Sequence, residues 1–219
     1  MLRTVQEQLR PAHTALLVVD MQNDFCAEGG FLQRARAGAA DGPAIRVEDN
    51  LRVANNIGAL AGSARAAGVL VAWIRSIYDF KYLAEAHIAK RNGREGLCNE
   101  GSWGAEFFRI QPQPGDIVVD KHTFSGFHGT DLHARLQARG IRTLLMTGVA
   151  TNVCVDSTLR EGFFLGYHIV VAEDCVGSSN RAGHEGTLST VRVNFGTVMP
   201  AAQILPLLGA QAARVDSPA

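Results

Sequence analysis

The chain has 219 residues, and its 21 Lys and Arg residues balance its 21 Asp and Glu residues to a formal charge of zero. The sequence has no basic stripe, which argues against nucleic acid as a partner. It has no apolar run of membrane-spanning length, which argues against a membrane protein. The length predicts one domain over residues 1–219 with a substantial buried core.

Two further features concern the cellular compartment. The first residues, MLRTVQEQLRPAHT, lack the apolar core of a secretory signal peptide. The four cysteines show no CxxC spacing and no secreted context, which predicts reduced thiols rather than a disulfide framework. They are Cys26, Cys98, Cys154 and Cys175. Together these features predict a cytoplasmic protein.

Six short apolar runs are predicted to be β-strands, at residues 15–19, 69–74, 116–120, 144–146, 168–172 and 196–199. Helices are predicted at residues 50–67, 131–139, from about 154 to 165, near 180–194 and at 201–208, and residues 26–49 are predicted to be a loop. Asn50 and Thr130 are the predicted N-caps, and Gly68 and Gly140 the C-terminal stops. Strands alternating with helices predict a parallel sheet with right-handed crossovers and helices on both faces, a three-layer α/β/α fold.

Three chemically capable side chains follow three of the predicted strands. Asp20 comes directly after the first strand, Lys121 after the third, and Cys154 after the turn that follows the fourth. Each has an ordinary explanation as a loop carboxylate, a solvated cation or a small core residue. Because ligands of open α/β sheets gather outside the carboxyl ends of the strands, the combination is more specific than any one member.

Cys154 is the candidate nucleophile. It lies where a helix is predicted to begin, among backbone N–H groups that have no intrahelical partner and carry partial positive charge. Such a position favours the thiolate, which is the nucleophilic form of cysteine. The alternative is that Cys154 only fills the core.

A long mixed segment, residues 75–111, separates the second and third strands and is typical of a substrate loop. Trp103 lies in a turn within it and either faces a ligand or plugs the loop from beneath. The segment also carries four cations that are candidates for binding a substrate carboxylate, although most are expected to be solvated. These are Arg75, Lys81, Arg91 and Arg94.

Longer motifs then connect the chain to a known family. VVDMQNDF at residues 18–25, the Asp-Lys pair after the third strand and TGVATNVCVDSTLREGF at residues 147–163 resemble the isochorismatase-like cysteine hydrolases. Through GSW, PQPGDIVV, SGF and RGIR the chain most resembles the ureidoacrylate amidohydrolases. Biuret and triuret hydrolases and N-carbamoylsarcosine amidohydrolases are more distant relatives. The resemblance extends over nearly the whole chain.

The resemblance implies a Rossmann-like sheet of six parallel strands in the order 3-2-1-4-5-6. It implies a catalytic triad of Asp20, Lys121 and Cys154, and a cis peptide bond between Val149 and Ala150. The backbone N–H groups of Ala150 and Cys154 would form the oxyanion hole. The family relationship also implies a homodimer or a homotetramer and no cofactor.

The implied reaction is hydrolysis of a C–N amide bond in a small ureido or carbamoyl compound. Cys154 would attack as thiolate and form a thioester, Lys121 would lower the thiol pKa, and Asp20 would move the protons, with release of ammonia or carbamate. A ureidoacrylate-type substrate is favoured over biuret, triuret or an N-carbamoyl amino acid. The predicted pocket wall consists of Phe25, Ser76, Tyr78, Trp103 and Phe124. The relatives have Tyr at 124 and Asn at 76, which leaves the exact substrate open.

Competing interpretations remain. Nicotinamidases carry a metal site with an Asp-Trp-His stretch after the second strand, but residues 75–79 here contain no histidine, so no catalytic metal is expected. His122, His128 and His133 do not fit common zinc spacings. True isochorismatases lack the cysteine, and a dinucleotide-binding enzyme would need GxGxxG after the first strand. A non-catalytic binding module on the same fold is the alternative from another class.

Overall fold

The structure, a computed structural model, describes residues 1–36 and 46–215. Six parallel strands form one sheet in the order β3-β2-β1-β4-β5-β6. The strands are β1 Thr14–Val19, β2 Leu70–Ser76, β3 Ile117–Lys121, β4 Thr143–Val149, β5 His168–Gly177 and β6 Gly196–Met199. The predicted parallel sheet and its strand order are therefore confirmed.

Nine α-helices are assigned in the described residues. They are α1 Val5–Gln8, α2 Asn23–Cys26, α3 Phe31–Arg36, α4 Val47–Ala66, α5 Glu85–Lys90, α6 Leu132–Gln137, α7 Asp156–Phe164, α8 Arg181–Asn194 and α9 Ala201–Val215. Short 3₁₀ helices cover Pro11–His13, Phe80–Tyr82 and Trp103–Ala105, and a π-helical turn covers Thr151–Val155. No helix among these is both long and apolar enough to cross a membrane.

The sheet is the middle of three layers. One face packs against α4 and α9 through residues such as Ile57 and Ile204, and the other against α6, α7 and α8 through residues such as Leu136 and Leu159. β1 and β4 are buried along their whole length because they lie inside the sheet and are covered on both faces. This arrangement explains their uniformly apolar sequences and confirms the predicted three-layer architecture.

Some predicted boundaries differ from the structure. Helix α4 begins at Val47 rather than at Asn50, whose side-chain amide instead donates to the Cys26 carbonyl at 3.1 Å. The predicted loop 26–49 contains α3 and the start of α4, and its residues 37–45 lie outside the described part of the chain. Gly68 follows the end of α4 with a φ of 80°, as expected of a C-terminal glycine.

The third strand also departs from its prediction. β3 lies at an edge of the sheet, and its residues alternate between buried and exposed, with Val118 partly exposed. The neighbouring strand β2 is largely buried. It extends to Lys121, which pairs in register with Ser76 at the end of β2. Lys121 is thus the last residue of the strand rather than a residue beyond it, and it lies at the carboxyl edge of the sheet.

Gly148 lets two strands approach closely beside the candidate site. Its φ is 108°, and a Cβ built on it would collide with the backbone carbonyl of Val19 in the neighbouring strand β1. Only glycine combines this backbone conformation with that approach. The residues that follow, Val149 and Ala150, are joined by a cis peptide bond, at the position that the family resemblance implies.

Candidate active site

Asp20 occupies the carboxyl end of β1 in a constrained conformation. Its φ of 51° lies in the left-handed region, which Asp tolerates better than most residues. Its N–H donates to the Ile74 carbonyl at 2.9 Å, and its own carbonyl accepts the Gln22 N–H at 2.8 Å. The side chain is 1% exposed, so this sharp turn directs a carboxylate into the interior rather than into solvent.

The Lys121 ammonium meets that carboxylate. Nζ lies 2.9 Å from Asp20 Oδ2, and it donates to Ser76 Oγ and to the Thr123 carbonyl, each at 2.9 Å, and to the Tyr78 hydroxyl at 3.3 Å. Burial by itself opposes the charged form, but the Asp20 carboxylate, together with Cys154 and Tyr78, outweighs it and raises the pKa of Lys121. Lys121 is therefore a fixed ammonium at all moderate pH values.

Ser76 bridges the two charges. Its hydroxyl donates to Asp20 Oδ1 at 3.0 Å and accepts from Lys121 Nζ. Oδ2, although beside the ammonium, accepts no hydrogen bond of normal geometry from any described residue. The structure therefore gives Ser76 a different place from the predicted pocket wall, since its hydroxyl is fully buried and already bonded within the site.

Cys154 lies in the π-helical turn and is 6% exposed. Its thiol interacts electrostatically with both Asp20 and Lys121, so the three predicted residues are brought together. Burial raises the pKa of Cys154, Lys121 lowers it and Asp20 raises it, with a net value of about 12. The prediction of a lowered thiol pKa is wrong for the free protein, because burial, together with Asp20, outweighs the ammonium.

The π-helical turn also affects the backbone around Cys154. The Ala150 carbonyl accepts the N–H groups of Val153 at 3.0 Å and Val155 at 3.2 Å. Cys154 N–H does not share this acceptor among the described hydrogen bonds. The Cys154 carbonyl accepts the Thr158 hydroxyl at 2.7 Å, which in turn accepts the Gly126 N–H at 2.9 Å. These contacts fix the nucleophile's backbone.

Gln22 is a structural member of the site that sequence reasoning missed. Its side chain is fully buried, accepts the Ser76 N–H at 2.7 Å, and donates to the carbonyls of Ser76 and Ala105, both at 2.9 Å. It thereby holds the end of β2 against the segment after β1. The motif at residues 18–25 contains Gln22, but the identity of one polar residue does not indicate which groups its side chain will contact.

Asp24, which sequence reasoning left as a loop or capping residue, is also buried. It accepts the N–H groups of Phe31 at 2.9 Å and Cys98 at 2.7 Å. A Cβ at Gly104 would collide with its carboxylate. Asp24 therefore ties α3 to the long segment between β2 and β3 and has a structural role.

The remaining predicted wall residues divide into two groups. Tyr78 is buried beside Lys121, Phe124 is partly exposed and stacks edge-on with His87 at 5.0 Å, and Phe25 packs against the loop cluster that contains Tyr78. The Trp103 indole is half exposed and lines a separate cleft of ≈ 640 Å³ whose lining includes no triad residue. A place for Trp103 in the substrate pocket stays a prediction.

The candidate metal ligands do not converge. His122 pairs with the Ile77 carbonyl at 2.8 Å and His133 with the Tyr167 hydroxyl at 2.9 Å, while His128 is exposed. Within residues 1–36 and 46–215, no group of three or more His, Cys, Asp or Glu side chains is arranged to hold a metal ion. The absence of a catalytic metal stays a prediction.

The other three cysteines differ from Cys154 in their surroundings. All are buried and free, and burial raises the pKa of each thiol, to about 12 at Cys175. No cation acts on the pKa of Cys26 or Cys175, whereas Lys121 and Arg91 lower that of Cys98 without offsetting burial and the nearby carboxylates. Cys154 differs from these three in that both Asp20 and Lys121 act on its pKa through side-chain hydrogen bonding as well as through charge.

The fold and the site place this chain among three-layer α/β proteins with a polar cluster at the carboxyl edge of the sheet. Residues 14–203 match the model of the isochorismatase domain family. The chain belongs to the isochorismatase family.

Its relatives span most of its length. Over 203 residues, 85% of this chain and 84% of the relative, it is 37% identical to the ureidoacrylate amidohydrolase RutB of Enterobacter sp. (strain 638). A cysteine hydrolase from Pseudomonas syringae pv. phaseolicola 1448A has a similar structure, with a TM-score of 0.81, 27% identity, and coverage of 96% of this chain and 98% of that one. The N-carbamoylsarcosine amidase of Thermoplasma acidophilum is also similar in structure, with a TM-score of 0.68 and 25% identity. The match covers 86% of this chain and 96% of that one.

Proposed function

We propose that this protein is a cysteine-dependent amidohydrolase that cleaves a C–N bond of a small ureido or carbamoyl compound through a thioester intermediate. The observation that carries the proposal is the buried cluster of Asp20, Lys121 and Cys154. An ion pair with 0% and 1% exposed side chains is expensive to bury and a poor source of stability. Its position beside a thiol supports a chemical role.

In the first step the Cys154 sulfur attacks the carbonyl carbon while its proton passes to Asp20 Oδ2, the oxygen that accepts no hydrogen bond of normal geometry. The thiol need not ionise beforehand, which fits its raised pKa. The Lys121 ammonium stabilises the negative charge on sulfur as the proton leaves. The carbonyl oxygen becomes an oxyanion, for which we propose the N–H groups of Ala150 and Cys154 as donors.

In the second step the C–N bond breaks and the departing nitrogen takes the proton back from Asp20. Attack on a terminal carbamoyl group expels ammonia and leaves the acyl group on sulfur. Asp20 then removes a proton from water, the oxygen adds to the thioester carbon, and the C–S bond breaks with return of that proton to sulfur. The second product is a carbamate, and the enzyme regains its starting state.

The relatives support the substrate class. One bears the name of ureidoacrylate amidohydrolase and another that of N-carbamoylsarcosine amidase. We propose ureidoacrylate-type compounds ahead of biuret, triuret and N-carbamoyl amino acids. Phe25, Tyr78 and Phe124 are the proposed pocket residues, since they lie near the triad or the loop cluster beside it. A homodimer or homotetramer, a cytoplasmic location and a single domain over residues 1–219 stay predictions.

Ammonia release from a panel of compounds tests the function. The panel contains ureidoacrylate, biuret, triuret, N-carbamoyl amino acids, nicotinamide and simple primary amides. We expect the highest kcat/KM for ureidoacrylate, and no turnover by Cys154→Ala enzyme. Mass spectrometry after rapid quenching should show an acyl adduct on the Cys154 peptide.

Each other outcome has a definite meaning. A nicotinamide kcat/KM tenfold or more above that of every ureido compound would replace the proposed class by a nicotinamidase. A preference for biuret or triuret would keep the class and change the ranking within it. Binding of a panel member with no turnover by wild-type enzyme would favour the non-catalytic module.

A further inference from the structure

The four cations that are candidates for binding a substrate carboxylate have different partners. Arg75 makes a two-pronged ion pair with Asp120 at 2.7 and 2.8 Å, and Lys81 lies 3.1 Å from Glu100. Arg94 is exposed. Arg91, just after α5, is half-buried and has no carboxylate within ion-pair distance in the described chain. Among these four cations, Arg91 is therefore the half-buried one without a compensating carboxylate in the described chain.

The Arg91 guanidinium is held in a defined place. Its Cζ lies 4.3 Å from the centre of the Tyr78 ring, and its Nη2 lies 3.4 Å from His87 Nε2. Nη1 is buried and lacks a hydrogen-bond partner among the described residues. An unsatisfied buried donor on a charged group is costly, so its presence points to a ligand that supplies the acceptor.

The same Tyr78 side chain connects Arg91 to the triad. One ring contacts the guanidinium while its hydroxyl lies 3.3 Å from Lys121 Nζ. The guanidinium also interacts electrostatically with the thiols of Cys98 and Cys154. A small molecule whose carbonyl carbon contacts the thiol could therefore reach Arg91 with a group at its other end.

The charges around Arg91 favour an anion. Burial lowers the pKa of Arg91, which shows that the cation lies in an unfavourable environment, and burial together with Arg91 and Lys121 lowers the pKa of His87. His87 is therefore neutral at pH 7 and its Nε2 can accept from Arg91. Asp20 is already paired with Lys121. Binding a carboxylate would restore both charge balance and hydrogen bonding at Arg91.

We propose that Arg91 is the specificity residue that binds the carboxylate of the substrate, so that the preferred substrates are ureido or carbamoyl acids rather than neutral ureas. This inference rests on the proposed function and narrows its substrate class. The planar guanidinium can donate two parallel hydrogen bonds to a carboxylate, a geometry that an ammonium cannot reproduce.

The kinetic test compares ureidoacrylate with its neutral methyl ester. In wild-type enzyme the acid should have the higher kcat/KM, and Arg91→Met should reduce the acid-to-ester preference roughly 100-fold, mainly through KM of the acid. Arg91→Lys should retain part of the preference because the charge remains. Lys81→Met, which removes another loop cation, is the matched control and should keep the preference. An unchanged preference in Arg91→Met overturns the inference.

A second test does not depend on turnover. Anionic iodoacetate and neutral iodoacetamide both alkylate a thiolate. The ratio of their alkylation rates at Cys154 therefore does not depend on the fraction of Cys154 that is ionised. We expect Arg91→Met to lower the iodoacetate-to-iodoacetamide ratio about tenfold, measured on the Cys154 peptide by mass spectrometry, with no change in Lys81→Met. If this ratio falls while no ureido compound is hydrolysed, the proposed function fails and the anion site stands. If the ratio is unchanged, the anion site fails.

Discussion

Lys121 Nζ lies 2.9 Å from Asp20 Oδ2 across an intervening strand. Lys121 ends β3 and Asp20 follows β1, while β2 lies between these two strands in the sheet. The gap is crossed because Ser76, the β2 residue in register with Lys121, is small and carries a hydroxyl that bonds to both charges. The pair thus depends on strand order as well as on the residues themselves.

Removing the ammonium should cost both stability and activity. Lys121→Met leaves the Asp20 carboxylate buried without its cation, so we expect unfolding to become easier by about 3–5 kcal/mol in urea titrations. The double variant Asp20→Asn/Lys121→Met removes both charges and should recover most of that loss while remaining inactive. Recovery of activity in the double variant would show that the ion pair is only structural.

Cys154 should be chemically necessary and structurally minor. We expect Cys154→Ala to lower kcat by at least roughly 1,000-fold, since no other side chain can form the thioester. Its melting temperature should stay close to that of the wild-type protein. Cys26→Ala and Cys175→Ala are the matched controls for removing a buried thiol and should keep most of the activity. Near-normal turnover by Cys154→Ala would remove cysteine from the mechanism.

The pH dependence of thiol reactivity should reflect a raised pKa. Burial, partly offset by Lys121, raises the pKa of Cys154 to about 12. The thiolate fraction therefore grows about tenfold per pH unit throughout the range below that value. Iodoacetamide alkylation of the Cys154 peptide should rise steadily between pH 7 and pH 10 without levelling off. A plateau below pH 8 would instead indicate a resting thiolate, as the helix position alone predicts.

Ser76 should act on the rate rather than on substrate binding. Ser76→Ala leaves Asp20 Oδ1 without its donor and Lys121 with one acceptor fewer. We expect kcat to fall about tenfold with KM little changed, and stability to fall by about 1–3 kcal/mol. Ser102→Ala, which removes a helix-capping hydroxyl in the segment between β2 and β3, is the control. A higher KM with unchanged kcat would instead indicate that Ser76 contacts the substrate as part of the pocket wall.

Chelation should not affect turnover. In the proposed mechanism a thiol supplies the nucleophile and backbone N–H groups stabilise the oxyanion, so no step calls for a metal ion. Prolonged dialysis against EDTA should leave kcat within about twofold of its starting value. Loss of activity that zinc or another divalent cation restores would support a nicotinamidase-like metal mechanism.

Local patterns in the sequence determined the fold class. Apolar runs of strand length alternate with helical segments, and this alternation leads to a parallel sheet because consecutive parallel strands require crossover helices. The same pattern put Asp20 and Lys121 at strand ends, and hence at one edge of the sheet. The identities of these residues indicated the candidate chemistry, and the longer motifs indicated the family.

Only the tertiary structure decided how those residues interact. The sequence predicted a lowered thiol pKa from the helix terminus, but desolvation by distant segments reverses the direction at Cys154. The candidate cations look alike in sequence, yet Arg75 has a carboxylate partner and Arg91 has none among the described residues. Periodicity depends on neighbours along the chain, whereas burial and charge pairing depend on contacts between strands and loops that folding brings together.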